Sequence, residues 1–151
     1  NINYMGLGDA LIYGDFESRY LHFNGDVRVN GDLDYTGSLS HVSDSKLKTN
    51  LRSMNSVLPK ISAINSYYFE WSDEARDNLA VSNRNQIGVI AQEVEKVFPE
   101  LVSKNDEGYK MVDYVKLTPV IMQAVKEQQT EIEELQSQVE MLKEMVMGGG
   151  E

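Results

Sequence analysis

The sequence predicts an α+β chain built in three parts, and three observations carry that expectation. An unbroken heptad pattern runs through residues 119–147, a glycine repeat of period six lies within residues 1–42, and the stretch between mixes helix-like and strand-like runs. Charge divides the chain the same way. Residues 1–42 carry six acids and two bases, residues 43–118 eleven and ten, and residues 119–151 seven and two. Only the middle part is balanced as an ordinary globular domain would be.

The totals exclude several classes. At 151 residues the chain is one domain by size. It has no cysteine, so disulfide and thiolate chemistry are closed to it and it needs no oxidising compartment. A net charge of −10 argues against nucleic acid as a partner. No apolar run approaches the ~18 residues of a membrane span, so no membrane partner is expected. Asn1-Ile2-Asn3-Tyr4 has neither the basic nor the apolar region of a signal peptide, and the missing initiator Met suggests a fragment of a longer protein. His22 and His41 are the two histidines, and without HExxH or CxxC spacing no metal is expected. No phosphate-cradling glycine loop is present, so no cofactor is expected either.

Residues 1–42 hold six of the eleven glycines. Gly25, Gly31 and Gly37 recur every six residues, two of them in the triplets Asn24-Gly25-Asp26 and Asn30-Gly31-Asp32. The pieces between, Val27-Arg28-Val29 and Leu33-Asp34-Tyr35, are strand-like. They fit either a pair of small hairpins or a β-solenoid layer completed by neighbouring chains. Gly6, Gly8 and Gly14 read as an irregular lead-in. Residues 46–66 read as a helix, with Leu47, Leu51, Met54, Val57, Leu58 and Ile61 at spacings of three and four and a break near Pro59.

Ser66 to Trp71 is aromatic and strand-like, and Ser72 to Asn85 is a polar loop or hairpin tip. Gln86 to Ile90 is a short strand leading into a helix marked by Ala91, Val94, Glu95 and Phe98, which Pro99 stops. Leu101-Val102 and Tyr109 to Val112 flank a turn at Asn105 to Gly108 and form a hairpin. Ile121, Val125, Gln128, Ile132, Leu135, Val139, Leu142 and Val146 then alternate spacings of four and three, the seam of a left-handed coiled coil. β-Branched residues at a with Leu at d ordinarily favour two strands, and Gln128 is the one polar layer. Residues 148–151 read as a flexible tail.

One stretch carries chemistry. Ser43-Asp44-Ser45-Lys46-Leu47-Lys48 sets a serine five residues ahead of a lysine where the chain changes character. A hydroxyl becomes a nucleophile when a neutral amine takes its proton, and a desolvated lysine is able to be that amine. Ser45 is nearer to Lys48 in sequence, and spacing does not choose between the two serines. Asp44 suits a helix N-cap, a role compatible with orienting the pair. His41 reads as a solvated side chain.

From Ser43 onward the chain resembles the self-cleaving intramolecular chaperone domain of phage tailspikes, endosialidases and tail fibres, the peptidase S74 family. The matching residues are Ser-Asp-x-x-Leu-Lys at 43–48, Tyr68-x-x-Trp71, Ile87 through Glu95, Phe98 through Val102, Tyr114-x-x-Leu117 and the helix through Ala124-Val125-Lys126-Glu127. The resemblance implies an elongated homotrimer. Residues 1–42 would end a triple-β-helix stem, 43–118 would be the chaperone and autoprotease with an extended arm near 66–90 that reaches along the stem, and 119–147 a trimeric coiled coil.

It also implies autocleavage between Val42 and Ser43, with Ser43 as nucleophile and Lys48 as general base. The partners would be two further copies and the upstream stem. The chaperone would act in the host cytoplasm during assembly, and the N-terminal part would stay in the virion tail. Two rivals remain: a trimerisation cap that is never cleaved, and a coiled-coil transcription regulator, which the acidic surface disfavours.

Overall fold

The computed structural model describes residues 12–15, 17, 20–29, 31–79, 81 and 84–148. The chain divides into two compact units, one within residues 1–40 and 71–83 and the other within residues 41–70 and 84–151.

In the first unit, β1 (Ile12–Asp15) and β2 (Tyr20–Phe23) pair antiparallel, with Ile12 opposite Phe23 and Asp15 opposite Tyr20. This hairpin corrects the irregular lead-in expected around Gly14. Gly6 and Gly8 lie outside the described residues. The period-six segment contains no strand among its described residues, 24–29 and 31–42, and all of these are exposed. The hairpin alternative for Val27–Val29 and Leu33–Tyr35 is therefore not what forms, because neither piece is a strand. Gly31, at φ 129°, uses a backbone region that side chains rarely enter. The polar stretch after Trp71 is not all loop. It holds α2 (Asp73–Asn78), whose N-cap Ser72 accepts a bond from the Ala75 N–H at 3.2 Å, with Asp73 and Glu74 in the first turn.

The second unit holds the core. The helix expected over 46–66 is replaced by a 3₁₀ turn at Ser45–Leu47, an irregular run, and the short α1 (Leu58–Ser62). Asn50 at φ 54° and Ser56 at φ 52° are left-handed and break any continuous helix between them. Pro59 sits in the first turn of α1 instead of ending an earlier helix, a place where its missing N–H costs nothing.

β3 (Ser66–Phe69) pairs antiparallel with β4 (Gln86–Val89), and β5 (Val102–Lys104) with β6 (Lys110–Val112). The β5–β6 turn closes on Asn105, whose side chain accepts from the Tyr109 N–H at 2.8 Å, and passes through Gly108 at φ 87°. Between the hairpins runs α3 (Ala91–Val97), followed by a 3₁₀ turn at Pro99–Leu101. The strands, α3 and the β5–β6 hairpin fall where the sequence pattern put them, and the β3–β4 pairing realises the hairpin-tip alternative for the stretch after Trp71. The last helix, α4 (Tyr114–Gly148), begins upstream of Pro119 and runs through it. Its start is capped by Asp113, which accepts from the Lys116 N–H at 3.0 Å.

The core is a cluster of Val57, Val94, Phe98, Leu101, Val120 and Ala124. Val94 is fully buried and Phe98 is 2% exposed, so α3 supplies its centre. Val120 and Ala124 bring one stripe of α4 onto it. Lys60 lies 5.4 Å from the centroid of the Phe98 ring and adds a cation–π contact. Gly88 is fixed by close approach. A Cβ there would stand 2.9 Å from the Tyr114 hydroxyl and 3.2 Å from the Phe69 ring. The same hydroxyl accepts from the Val89 N–H at 3.3 Å.

Two carboxylates tie elements together. Glu93 on α3 accepts from the Asn65 N–H at 3.1 Å and from the Tyr67 hydroxyl at 2.8 Å, anchoring the start of β3. The Tyr67 bond, then the Asn65 N–H, hold the Glu93 carboxyl below its ordinary range, and the same bond raises Tyr67. Glu127 on α4 accepts from the Val57 and Leu58 N–H groups at 2.8 Å each, and the Leu58 bond is the main cause of its lowered pKa.

Two outcomes follow from this packing. Phe98→Ala is expected to cost about 3–5 kcal/mol in denaturant unfolding, the range for emptying a buried aromatic site. Glu93 and Glu127 have folded values below their unfolded ones. Their stabilisation is full above the unfolded carboxylate value of ~4.3 and is lost as pH falls through the lowered values. The thermal midpoint should hold between about pH 7 and 5 and drop below about 4.3. It should drop less in Glu93→Gln and Glu127→Gln.

Candidate functional site: the turn at residues 42–48 and the outer face of the last helix

The turn at 43–48 is closed by its own bonds. The Leu47 N–H donates to the Asp44 carbonyl and the Lys48 N–H to the Ser45 carbonyl, both at 3.1 Å. Asp44 is the N-cap, and its side chain accepts from the Lys46 N–H at 2.9 Å. The chain then leaves the turn at Lys48 in an extended conformation, φ −114° and ψ 137°. This geometry folds the Lys48 side chain back on the turn's first residue, and Lys48 Nζ donates to Ser43 Oγ at 2.6 Å.

Of the residues singled out in the sequence, Ser43 and Lys48 are thus in direct contact. The Asp44 carboxylate is committed to the backbone of the turn. The side chains of His41 and Ser45 take no part in the Ser43–Lys48 bond. All of residues 41–48 are exposed, and Val42, before the bond in question, is 83% exposed. The backbone on both sides is therefore open to solvent in the single chain.

The seam residues form the second feature. Ile121, Val125, Gln128, Ile132, Leu135, Val139, Leu142 and Val146 all lie on α4, and every one is exposed. From residue 128 to residue 148 no residue of the helix is buried against the rest of the chain. Seven branched aliphatic side chains and Gln128 thus face water at a 3.5-residue period, an uncovered row of the kind that coiled coils bury. Sequence reasoning found this row but missed the Glu127 bonds to Val57 and Leu58, which join residues about seventy positions apart in the chain.

Among the described residues no group of three His, Cys, Asp or Glu side chains is placed to hold a metal ion. No helix among them is long and apolar enough to cross a membrane.

Residues 43–103 match the peptidase S74 family, described as the chaperone of endosialidase. The match begins at Ser43. Three curated relatives are similar over most of the chain. The long tail fiber protein Gp37 of Salmonella phage S16 is 27% identical over 132 residues, covering 85% of this chain and 18% of that protein. Gp37 of Enterobacteria phage Ox2 is 27% identical over 123 residues, 77% of this chain and 47% of its own length. Gp37 of Enterobacteria phage M1 is 27% identical over 99 residues, 63% and 39%. The chain spans less than half the length of each. The resemblance to a tail-fibre C-terminal chaperone domain, drawn from the motifs between Ser43 and Glu127, is borne out by both comparisons.

The exposed seam yields one expected outcome. Leu135→Asp or Val139→Asp places a charge in the apolar row. Sedimentation should then give the mass of one chain, 17.1 kDa, where the unaltered protein gives a multiple of it. Glu134→Gln, off the seam, should leave the multiple intact.

Proposed function

We propose that this chain is the C-terminal assembly domain of a phage tail fibre. In this reading it trimerises through α4, sets three upstream stem segments in register, and then frees itself by cutting its own backbone between Val42 and Ser43. The observation that carries the proposal is the Ser43–Lys48 contact of 2.6 Å at the first residue of the family match.

The reaction is an acyl transfer within the chain. Lys48, as the free amine, takes the proton of the Ser43 hydroxyl. The oxygen attacks the carbonyl carbon of Val42. The C–N bond between Val42 and Ser43 breaks, and the nitrogen keeps the bonding pair and takes the proton back from Lys48. Val42 is then esterified to Ser43 Oγ, and water hydrolyses the ester to a Val42 carboxylate and a Ser43 hydroxyl. Nucleophile, base and acyl group belong to adjacent parts of one turn. Such placement supplies up to about 7–11 kcal/mol of a barrier in well-oriented cases. Backbone N–H groups near the turn are the candidates for stabilising the oxyanion. Each chain reacts once.

Chaperoning follows from the physics of the stem. Short strands that pair only between chains must find partners at long range, and loop-closure entropy is spent before any contact forms. The described residues of the run, 24–29 and 31–42, are exposed and form no strand within the chain, and they fit that description. Associating three α4 helices first raises the effective concentration of the three strands. After cleavage the stem keeps its fold kinetically, since its helper is gone. The stem side stays with the virion tail, as expected for a relative of long tail fibre proteins, and the helper would be released in the host cytoplasm. A cap that stays attached would use the same seam and leave the Ser43–Lys48 contact without a task.

The test is the intact mass of the chain carrying its stem, beside Ser43→Ala and Lys48→Ala. Two fragments meeting at Val42/Ser43 in the unaltered protein, with both variants whole, are expected. A whole chain in all three cases would leave the attached cap.

A further inference from the structure

The cleavage pair has no anchor of its own. Residues 41–56 are exposed throughout, and the bonds that close the turn at 43–48 are local to it. Downstream, the first fixed point is Val57, only 2% exposed and part of the core. There the backbone forms a small anion-binding concavity. Ser56 is left-handed at φ 52° and Val57 right-handed at φ −86°, a succession that turns neighbouring N–H groups towards one point. That point is occupied by Glu127 Oε2, 2.8 Å from the nitrogens of both Val57 and Leu58. Pro59 has no N–H, so the carboxylate takes both donors that the start of α1 offers at these positions. Gln123 Nε2 donates to the other oxygen, Oε1, at 3.2 Å and aims the group.

Glu127 stands on α4 between Val125 and Gln128, two members of the seam. We infer that Glu127 is a positioning residue for the cleavage pair: seated in the Ser56–Leu58 turn, its carboxylate fixes the segment carrying Ser43 and Lys48 to the helix through which the chains associate. The inference rests on the self-cleavage reading. Association through the seam sets the rotation of α4. That rotation sets Glu127, and Glu127 holds Val57, from which residues 49–56 lead back to the pair. A displacement of about 1 Å at a reacting group costs on the order of a hundredfold in rate, so a distant clamp has leverage on the chemistry.

The experiment follows the first-order appearance of the fragment beginning at Ser43 in the chain carrying its stem. Sedimentation mass and helical signal are recorded on the same samples. Glu127→Ala is expected to cleave about tenfold or more slowly with assembly and helix content unchanged. Glu127→Gln keeps an oxygen that accepts both N–H groups and should recover to within about threefold of the unaltered rate. Gln123→Ala leaves the clamp without its aim and should slow cleavage severalfold in an assembled chain. The inference is therefore read even where Glu127→Ala fails to assemble.

Cleavage of assembled Glu127→Ala at the unaltered rate overturns the inference. So does an assembled Gln123→Ala that cleaves at the unaltered rate where Glu127→Ala loses assembly and rate together, and so does Glu127→Gln as slow as an assembled Glu127→Ala. An unaltered chain that stays whole, or Ser43→Ala that cleaves normally, overturns the self-cleavage reading itself. The other outcomes concern Glu127 alone.

Discussion

Two adjacent stripes on α4 divide its surface between two kinds of partner. Val120 and Ala124 are buried against Phe98, Val94 and Leu101 of the same chain, while Ile121 and Val125, one residue further on, face outward. Successive helical residues are about 100° apart, so the helix has no freedom to bury the seam in its own domain without exposing the core. Packing within the chain thus decides which face is offered outside it. Beyond Glu127 the helix leaves the domain entirely and runs exposed to Gly148. Helical stability in water comes mostly from packing an apolar face and little from propensity, so a projecting helix of this kind is stable in proportion to what covers its seam. Under the proposed assembly, folding of the helix beyond Glu127 and association of the chains would be one process.

The turn at 43–48 gains its geometry from being short. In a continuous α-helix, residues five apart lie about 140° from each other around the axis and their side chains do not meet. A 3₁₀ turn that ends at Lys48 in an extended conformation avoids this, because the side chain of its last residue doubles back over the first. Asp44 contributes as the cap of the turn. Its carboxylate caps the Lys46 N–H and helps close the turn across which Lys48 reaches Ser43 Oγ. The irregularity that defeated the helical reading of this segment is what puts serine and lysine in contact.

How much of this was legible depends on whether the signal was local. The strands β3 and β4, the β5–β6 hairpin, α3 and α4 from residue 119 on were legible because each carries an unbroken local pattern, while the pairing of β3 with β4 was left open between a loop and a hairpin tip. The stretch 46–66 was not. Leu47, Leu51 and Met54 have helical spacing yet remain exposed, and burial within the chain begins only at Val57. Apolar spacing reports that a residue is to be covered and does not say by what, and in a chain that associates the cover need not be its own. Asn50 in a left-handed position was foreseeable from its type, Ser56 much less so. The Ser72 cap followed by Asp73 and Glu74 was a readable helix start, outweighed by the lack of apolar period. Gly88 stood out only as part of a motif. Its reason, the Tyr114 hydroxyl packed over it, joins residues far apart in sequence. The serine and lysine could be named from sequence, but their contact and the Glu127 clamp could not.

Contact without burial is the condition that the proposed single cleavage would require. A lysine that is to act as a base must give up its charge, and water opposes that by solvating the ammonium. In the chain by itself Ser43 and Lys48 touch but stand in solvent, next to a backbone bond as open as they are. A pair that was buried from the start would be poised as soon as each chain folded, before any stem had been aligned. An exposed pair already at hydrogen-bond distance still lacks exclusion of water and, on the inference above, the placement that Glu127 gives it; the proposed trimer is the event able to supply the first. On this view the chain builds the Ser43–Lys48 contact early, from one local turn, and Glu127 ties that turn's segment to α4. The remaining requirement, a dry environment, is left to the assembled state whose completion the cut would mark.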